Sequence, residues 1–380
     1  MGDLGAPRDL FEIPRAVAYF NCGYMSPLLR ASREAGERGL RRKSQPWTVT
    51  AGDLFAWTEA VREKFARLLG ARADDVALVP SVSYAMAVAA ANLPVGPGRY
   101  VLLLEEAFPS AVYPWCEAAR LGGGQVVTVP RPRDDDWTRA VLERIDERAA
   151  VASLPAFHWT DGGLLHLDRI GRRLREVGAA LVVDATQAIG VMPFDLTAID
   201  PDFVAVAAYK WLLGPYSVGF LYAAPRRQDG RPIEFNWAPR AGSEDFSRLV
   251  EYRDDYQPGA RRFDMGEVFN FNLLPAAEAG LDQLLAWGVD QIHPAVSELA
   301  DRLAETARAF GLHGIARDRR AGHYLGLRAP GGLPSDLAAR LAAERVYVSV
   351  RGNALRVTPH LYNDAEDLAR FRAALADALG

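Results

Sequence analysis

The chain writes its surface cations almost entirely as arginine: of 44 basic residues only Lys43, Lys64 and Lys210 are lysine. Lys43 and Lys64 stand in charged helical stretches, but Lys210 closes the apolar run Phe203-Val-Ala-Val-Ala-Ala-Tyr209. The tip of a buried strand is a costly place for an ammonium group unless a lowered pKa or a covalent bond removes its charge. A primary amine can do that chemistry and a guanidinium cannot. A structural lysine snorkelling to water is the competing reading, and the scarcity of lysine weakens it. Two other apolar runs end in polar groups. Ala180-Leu-Val-Val183 is followed by Asp184, with Gln187 beyond it; Val76-Ala-Leu-Val-Pro80 is followed by Ser81-Val82-Ser83-Tyr84 and a helical stretch. A carboxylate such as Asp184 can pair with a protonated pyridine nitrogen, or simply cap a helix or close a loop salt bridge. Backbone N–H groups at a helix start, with the Ser83 hydroxyl, can hold a phosphate dianion, although an ordinary Ser N-cap would look the same. Together the three ends supply a phosphate cradle, a carboxylate and an amine, in the order that a pyridoxal-5'-phosphate (PLP) site would use them.

In an open parallel sheet ligands bind beyond the carboxyl ends of the strands, so these residues need such a sheet to hold them. Short β-branched runs alternating with charged segments of helical period predict one. The predicted strands are Val76 to Val79, Tyr100 to Leu104, Gln125 to Val129, Ala150 to Leu154, Ala180 to Asp184, Phe203 to Ala208 and Gly219 to Tyr222, with helices at Thr58 to Leu69, Asp136 to Ile145 and Asp168 to Val177. From about Pro275 the texture changes to helices at Ala276 to Trp287 and Ile292 to Phe310. Strand-like pieces follow at His323 to Arg328, Arg345 to Val350 and Ala354 to Val357, and a helix at Asp364 to Leu379. The expected organisation is an N-terminal segment (1–30) serving the active site and the small domain, a large α/β domain (31–285) and a smaller α+β C-terminal domain (286–380). Arg226 to Arg262, rich in Pro, Gly, Trp and charge, reads as a long excursion from the sheet.

Asp184-Ala-Thr-Gln187-Ala-Ile-Gly190, followed by Ala208-Tyr-Lys210-Trp-Leu-Leu-Gly214-Pro, resembles the class-V aminotransferase family of fold-type I PLP enzymes. Isopenicillin N epimerase-like proteins, kynureninases and cysteine desulfurases belong to it. The likeness runs from about Tyr19 to Asp367 and implies a mainly parallel seven-stranded sheet in the large domain. It further implies that Lys210 forms the internal aldimine and then moves the α-proton, that Asp184 holds the pyridinium, that Gln187 hydrogen-bonds the ring oxygen and that Phe108, in Phe108-Pro-Ser110, covers the ring. Ser83 stands where the family has the second Thr of its phosphate loop, Val82 where it has the first, and the Tyr209 hydroxyl would also touch the phosphate. Tyr19-Phe-Asn21-Cys-Gly23-Tyr24 is similar to the N-terminal substrate loop. Arg356, in Arg356-Val-Thr-Pro-His360, would take the substrate carboxylate in a bidentate fork. Phe263 to Asn270 resembles the stretch that reaches a neighbouring subunit's phosphate, which implies a homodimer with shared sites and a cofactor role for Asn270.

The departures narrow the choice. Desulfurases carry a persulfide-forming Cys shortly before the C-terminal Arg motif, and no Cys follows Cys116, so sulfur transfer through such a thiol is not expected. Ala111 replaces the acidic residue of kynureninases, Ala207 stands where a Ser precedes the lysine by three, and His158-Trp159-Thr-Asp161-Gly162 is nearer the epimerase-like branch. The expected function is PLP chemistry on a small α-amino acid through an external aldimine and quinonoid, of aminotransferase or epimerase type, with a Cβ–S or Cβ–C lyase or a decarboxylating variant as alternatives.

Other classes lack their signatures. There is no G-x-G-x-x-G after the first strand, no P-loop and no G-x-S-x-G. The six histidines lack ligand spacing, so no metal is expected, and Cys22 and Cys116 read as free thiols. A net charge of −4 with interleaved signs argues against nucleic acid. No apolar stretch approaches the roughly 20 residues that span a bilayer, and Met1 to Arg15 lacks the layout of a signal peptide, so the expected setting is the cytoplasm, without a membrane partner.

Overall fold

The computed structural model describes residues 7–379; the first six residues of the expected N-terminal segment and the final residue of the chain lie outside it. Its strands, in chain order, are β1 (Ala18–Tyr19), β2 (Val76–Val79), β3 (Tyr100–Leu104), β4 (Gln125–Val129), β5 (Ala149–Pro155), β6 (Ala180–Asp184), β7 (Phe203–Ala207), β8 (Gly219–Ala223), β9 (Leu325–Leu327), β10 (Val346–Tyr347), β11 (Ser349–Arg351) and β12 (Ala354–Val357). Seven of them form one sheet in the order β2-β8-β7-β6-β5-β3-β4. Only β8 runs against its neighbours. This is the mainly parallel α/β sheet of fold type I, and each of the seven predicted strands is present within about two residues of its expected limits.

The inner strands are buried on both faces, which is why they read as unbroken apolar runs. Along β2 the side chains alternate between two cores: Val76 and Leu78 join one, Ala77 and Val79 the other. The helix Val82–Asn92 packs on the second core through Val82, Ala85, Met86 and Ala89. On the opposite face the helix Leu274–Trp287 contributes Leu274, Ala277, Leu281 and Leu284. A third apolar cluster joins Ala18 and Phe20 to Leu303 and Ala307 of the helix Val289–Arg308, to Leu325 and Val357, and to Phe371 and Leu375 of the helix Ala365–Leu379.

The stretch Arg345 to Val350, expected as one strand, is divided between two sheets. β10 pairs in parallel with β1, whereas β11 pairs antiparallel with β12. At the break, the carbonyl of Val348 accepts a hydrogen bond from Asn21 Nδ2 at 3.4 Å, so the change of partner leaves that acceptor satisfied. Residues 226–262 form mostly irregular backbone with short 3-10 turns, among them Phe246–Arg248 and Gly259–Phe263. No helix among the described residues is long and apolar enough to cross a membrane.

Candidate active site

The exits of the parallel strands converge on a cavity of about 260 Å³. Its wall includes Ser81, Val82 and Ser83 beyond β2, Phe108 and Ser110 beyond β3, Trp159 beyond β5, Asp184, Thr186 and Gln187 from β6 onward, and Tyr209 and Lys210 beyond β7. Topology alone brings these separated segments to one edge.

Lys210 is buried, and burial lowers its amine to about 8, against the opposing pull of Asp184. Its Nζ lies 5.5 Å from the centre of the Phe108 ring and 5.3 Å from that of Tyr209. Among the described residues it has neither a hydrogen-bond nor an ion-pair partner. Asp184, the last residue of β6, accepts the amide of Thr186 at 3.0 Å, and it too has no ion-pair partner among the described residues. Desolvation raises its carboxyl above the ordinary range, while Thr186 and Lys210 act in the other direction. A buried amine and a desolvated carboxylate, neither with an ion-pair partner among the described residues, suit in one cavity a ligand that brings an aldehyde to the first and a protonated nitrogen to the second.

Beyond β2 the cavity meets the start of a helix. Ser81 caps the helix Val82–Asn92, its hydroxyl accepting from the amide of Tyr84 at 3.2 Å, which leaves the amides of Val82 and Ser83 without intrahelical acceptors. Ser83 Oγ donates to Ser110 Oγ at 2.9 Å, so the two hydroxyls form one polar lip. The Tyr209 ring stacks on Tyr216 at 4.0 Å, and burial raises its hydroxyl well above the usual tyrosine value. Among the described residues, no lysine or arginine lines this cavity apart from Lys210.

The other expected residues surround the cavity more loosely. Gln187 lines it, but its side chain is already engaged, with Nε2 donating to Gly23 O at 3.0 Å and Oε1 accepting from Trp211 Nε1 at 2.7 Å. Phe108 meets Trp159 edge-on at 5.5 Å. Asn21 accepts from Ser349 Oγ at 3.1 Å, Gly23 donates its amide to Thr358 Oγ1 at 2.9 Å, and Tyr24 presents an exposed ring. Arg356, only 2% exposed, lies 6.0 Å from the ring centres of both Trp159 and Tyr324, and its Nε has no partner among the described residues. Asn270 is not in the wall of its own chain's cavity; its Oδ1 instead accepts the amides of Asn272 and Leu273 ahead of the helix Leu274–Trp287.

Sequence reasoning gave no site role to Tyr216, Ser217, Trp159 or Thr186, all of which line the cavity. Tyr216 and Ser217 arrive because β8 is antiparallel, so that its entry rather than its exit lies at the carboxyl edge. The signal was available: the stretch between Ala207 and Gly219 is short for a parallel crossover, which takes a dozen or more residues.

Sheet and cavity together define a PLP enzyme of fold type I. The chain belongs to the class-V aminotransferase family, whose match covers residues 48–371. It is 28% identical over 337 residues to the uncharacterized aminotransferase YcbU of Bacillus subtilis (strain 168), covering 82% of this chain and 81% of that one. It is 26% identical over 395 residues to the isopenicillin N epimerase of Streptomyces clavuligerus, covering 100% of this chain and 98% of the relative. Among solved structures, the cysteine desulfurase CsdA of Escherichia coli superposes with a TM-score of 0.83 at 20% identity, over 100% of this chain and 99% of that one.

Proposed function

We propose that the protein moves the α-proton of a small α-amino acid in an aminotransferase or epimerase reaction, with Lys210 as the residue that holds PLP and then exchanges the proton. The observation that carries this reading is the Lys210 amine, buried, without a hydrogen-bond or ion-pair partner among the described residues, and lowered to about 8 between Phe108 and Asp184. An amine near 8 is partly neutral at physiological pH and can act as nucleophile and as base. Bound PLP supplies the electron sink for the pair left at Cα. Asp184 keeps a positive charge at the ring nitrogen, Phe108 covers one ring face, and the amides of Val82 and Ser83 with the Ser83 hydroxyl hold the phosphate. Gln187, fixed by Gly23 and Trp211, offers a hydrogen bond at the ring oxygen, and Tyr209 stands at the phosphate side. Arg356 receives the α-carboxylate, while Asn21, Gly23 and Tyr24 close the substrate side.

A full-length relative named as an epimerase and the lack of any Cys after Cys116 support proton movement over sulfur transfer. We also propose that two copies pair, with the segment around Asn270 reaching the partner's phosphate cradle. Large exposed side chains at Phe235, Trp237, Phe246, Val250 and Tyr252 support an interface there. The deciding experiment incubates the PLP-loaded protein with single amino acids, with and without a keto-acid acceptor. Amino transfer that requires the acceptor, or inversion at Cα without it, is the expected result. Pyruvate and ammonia released in equal amounts without an acceptor would assign a lyase instead.

A further inference from the structure

Four guanidinium groups lie near the Trp159–Asp161 segment and the β11–β12 hairpin, outside the cavity wall itself, and only two of them are neutralised. Arg131 and Arg328 both pair with the buried carboxylate of Asp161. Arg351 and Arg356 have no ion-pair partner among the described residues, although Arg356 is almost wholly buried and Arg351 is half-buried.

The hairpin of β11 and β12 fixes their relation. Ser349 stands opposite Arg356, and Arg351 stands opposite Ala354. Arg351 is two residues from Ser349, so both arginines leave the same face of the hairpin, at diagonal positions with origins roughly 7 Å apart. Arg356 points into the interior under Trp159 and Tyr324. Arg351 lies further out, with its guanidinium 5.8 Å over the ring of Tyr24 and Nη1 donating to Val350 O at 2.8 Å. The rest of its fork is uncommitted. Burial and then the neighbouring Arg356 lower the Arg351 value, and both arginines act to lower Lys210. Uncompensated like charges at graded depths make sense as a receptor for an anion that arrives with the ligand.

We propose that the substrate is a dicarboxylic α-amino acid, with its α-carboxylate on Arg356 and its side-chain carboxylate on Arg351. This rests on the function proposed above and names the substrate class of the same site. With Asp184 assigned to the cofactor nitrogen and the phosphate held by backbone, one α-carboxylate would leave one of the two guanidiniums without a counter-charge. A second carboxylate supplies it, and the difference in depth between the two arginines sets the order in which the two ends are read.

The test uses ligands that lack an amine and so bind without reacting. Succinate, glutarate and butyrate are titrated calorimetrically into the PLP-loaded protein at low ionic strength. The diacid of better length should bind at least about tenfold tighter than butyrate, as expected for one added charge-assisted contact. Arg351→Gln should remove that margin and leave butyrate binding unchanged, and Arg351→Lys should restore part of it. Equal weakening of butyrate and glutarate by Arg351→Gln would mean that both guanidiniums clamp one carboxylate, and it would overturn the proposal. So would a wild-type protein with no diacid margin. A protein that takes up PLP with its visible band but shows no margin refutes only the dicarboxylate. One that takes up no PLP refutes the assignment of the site as well.

Discussion

At the scale of single residues, Lys210 is held in place against its own solvation. Its ammonium form persists to about pH 10.4 in an unfolded chain but only to about 8 in the folded one. Between those values the folded state binds fewer protons, so the penalty for burying the charge is complete below pH 8 and fades as pH rises toward 10.4. At neutral pH it amounts to about 3 kcal/mol. Lys210→Met should therefore leave the cofactor-free protein more stable by up to that amount, seen as a higher urea midpoint, while abolishing the visible band formed with PLP. A less stable variant that still acquires the band would contradict both halves of the argument. The same lowered value predicts that PLP capture by the cofactor-free protein accelerates with pH through about 8 and then levels off. Asp184 holds the amine up, so Asp184→Ala should shift that inflection to lower pH. A stopped-flow series with the inflection unmoved would detach the carboxylate from the lysine.

At the scale of elements, the site depends on close contact between the segment after β6 and the segment after β7. Gly190 has φ +98, and a Cβ there would stand 2.5 Å from the carbonyl oxygen of Trp211, the residue after Lys210. Gly190→Ala is expected to destabilise the protein by at least about 2 kcal/mol, from left-handed backbone strain and the displaced carbonyl together. It should also weaken PLP binding, because Lys210 moves with Trp211; a weakened fold with PLP affinity intact would show that the two segments are independent. The legibility of the site follows the same division. Ser83, Asp184 and Lys210 could be read because each ends or closely follows an apolar run that sequence periodicity marks as a strand. Tyr216 and Ser217 depend on the direction of β8, and Arg351 on the register of a short hairpin whose residues look like any charged turn. The division of Arg345 to Val350 between two sheets is a tertiary choice with no periodic trace, since β10 and β11 are too brief to establish a pattern.

At the scale of the whole molecule, two imidazoles lie where the segment carrying β9 and β12 meets the rest of the chain. His360 is fully buried, 5.9 Å from Trp211, 6.1 Å from Trp287 and 5.5 Å from Tyr362 between ring centres, and neither of its ring nitrogens has a hydrogen-bond partner among the described residues. His323 lies 4.7 Å from Trp211 and 5.2 Å from Phe157, with Nε2 at 2.9 Å from Gln187 O. A carbonyl only accepts, so Nε2 carries the proton of a neutral ring. Burial pushes both imidazoles down to about 3, whereas in the unfolded chain they titrate near 6.5. Below that value the unfolded state binds protons that the folded state refuses. The stabilisation is therefore complete above about pH 6.5 and is lost as pH falls toward 3, at about 2 kcal/mol for each ring by pH 5. Urea unfolding measured between pH 6 and 5, above the main carboxylate range, should show stability falling with acid. His360→Phe keeps an aromatic ring among Trp211, Trp287 and Tyr362 without a titratable nitrogen, and it should reduce that slope by about 1.4 kcal/mol per pH unit, the value for one proton. A slope that survives the substitution would mean that His360 is charged or hydrated in the native protein. The same variant reports on the site: Trp211 follows Lys210 and holds Gln187 through its indole nitrogen, so acid opening of this seam should release PLP before the seven-stranded sheet unfolds.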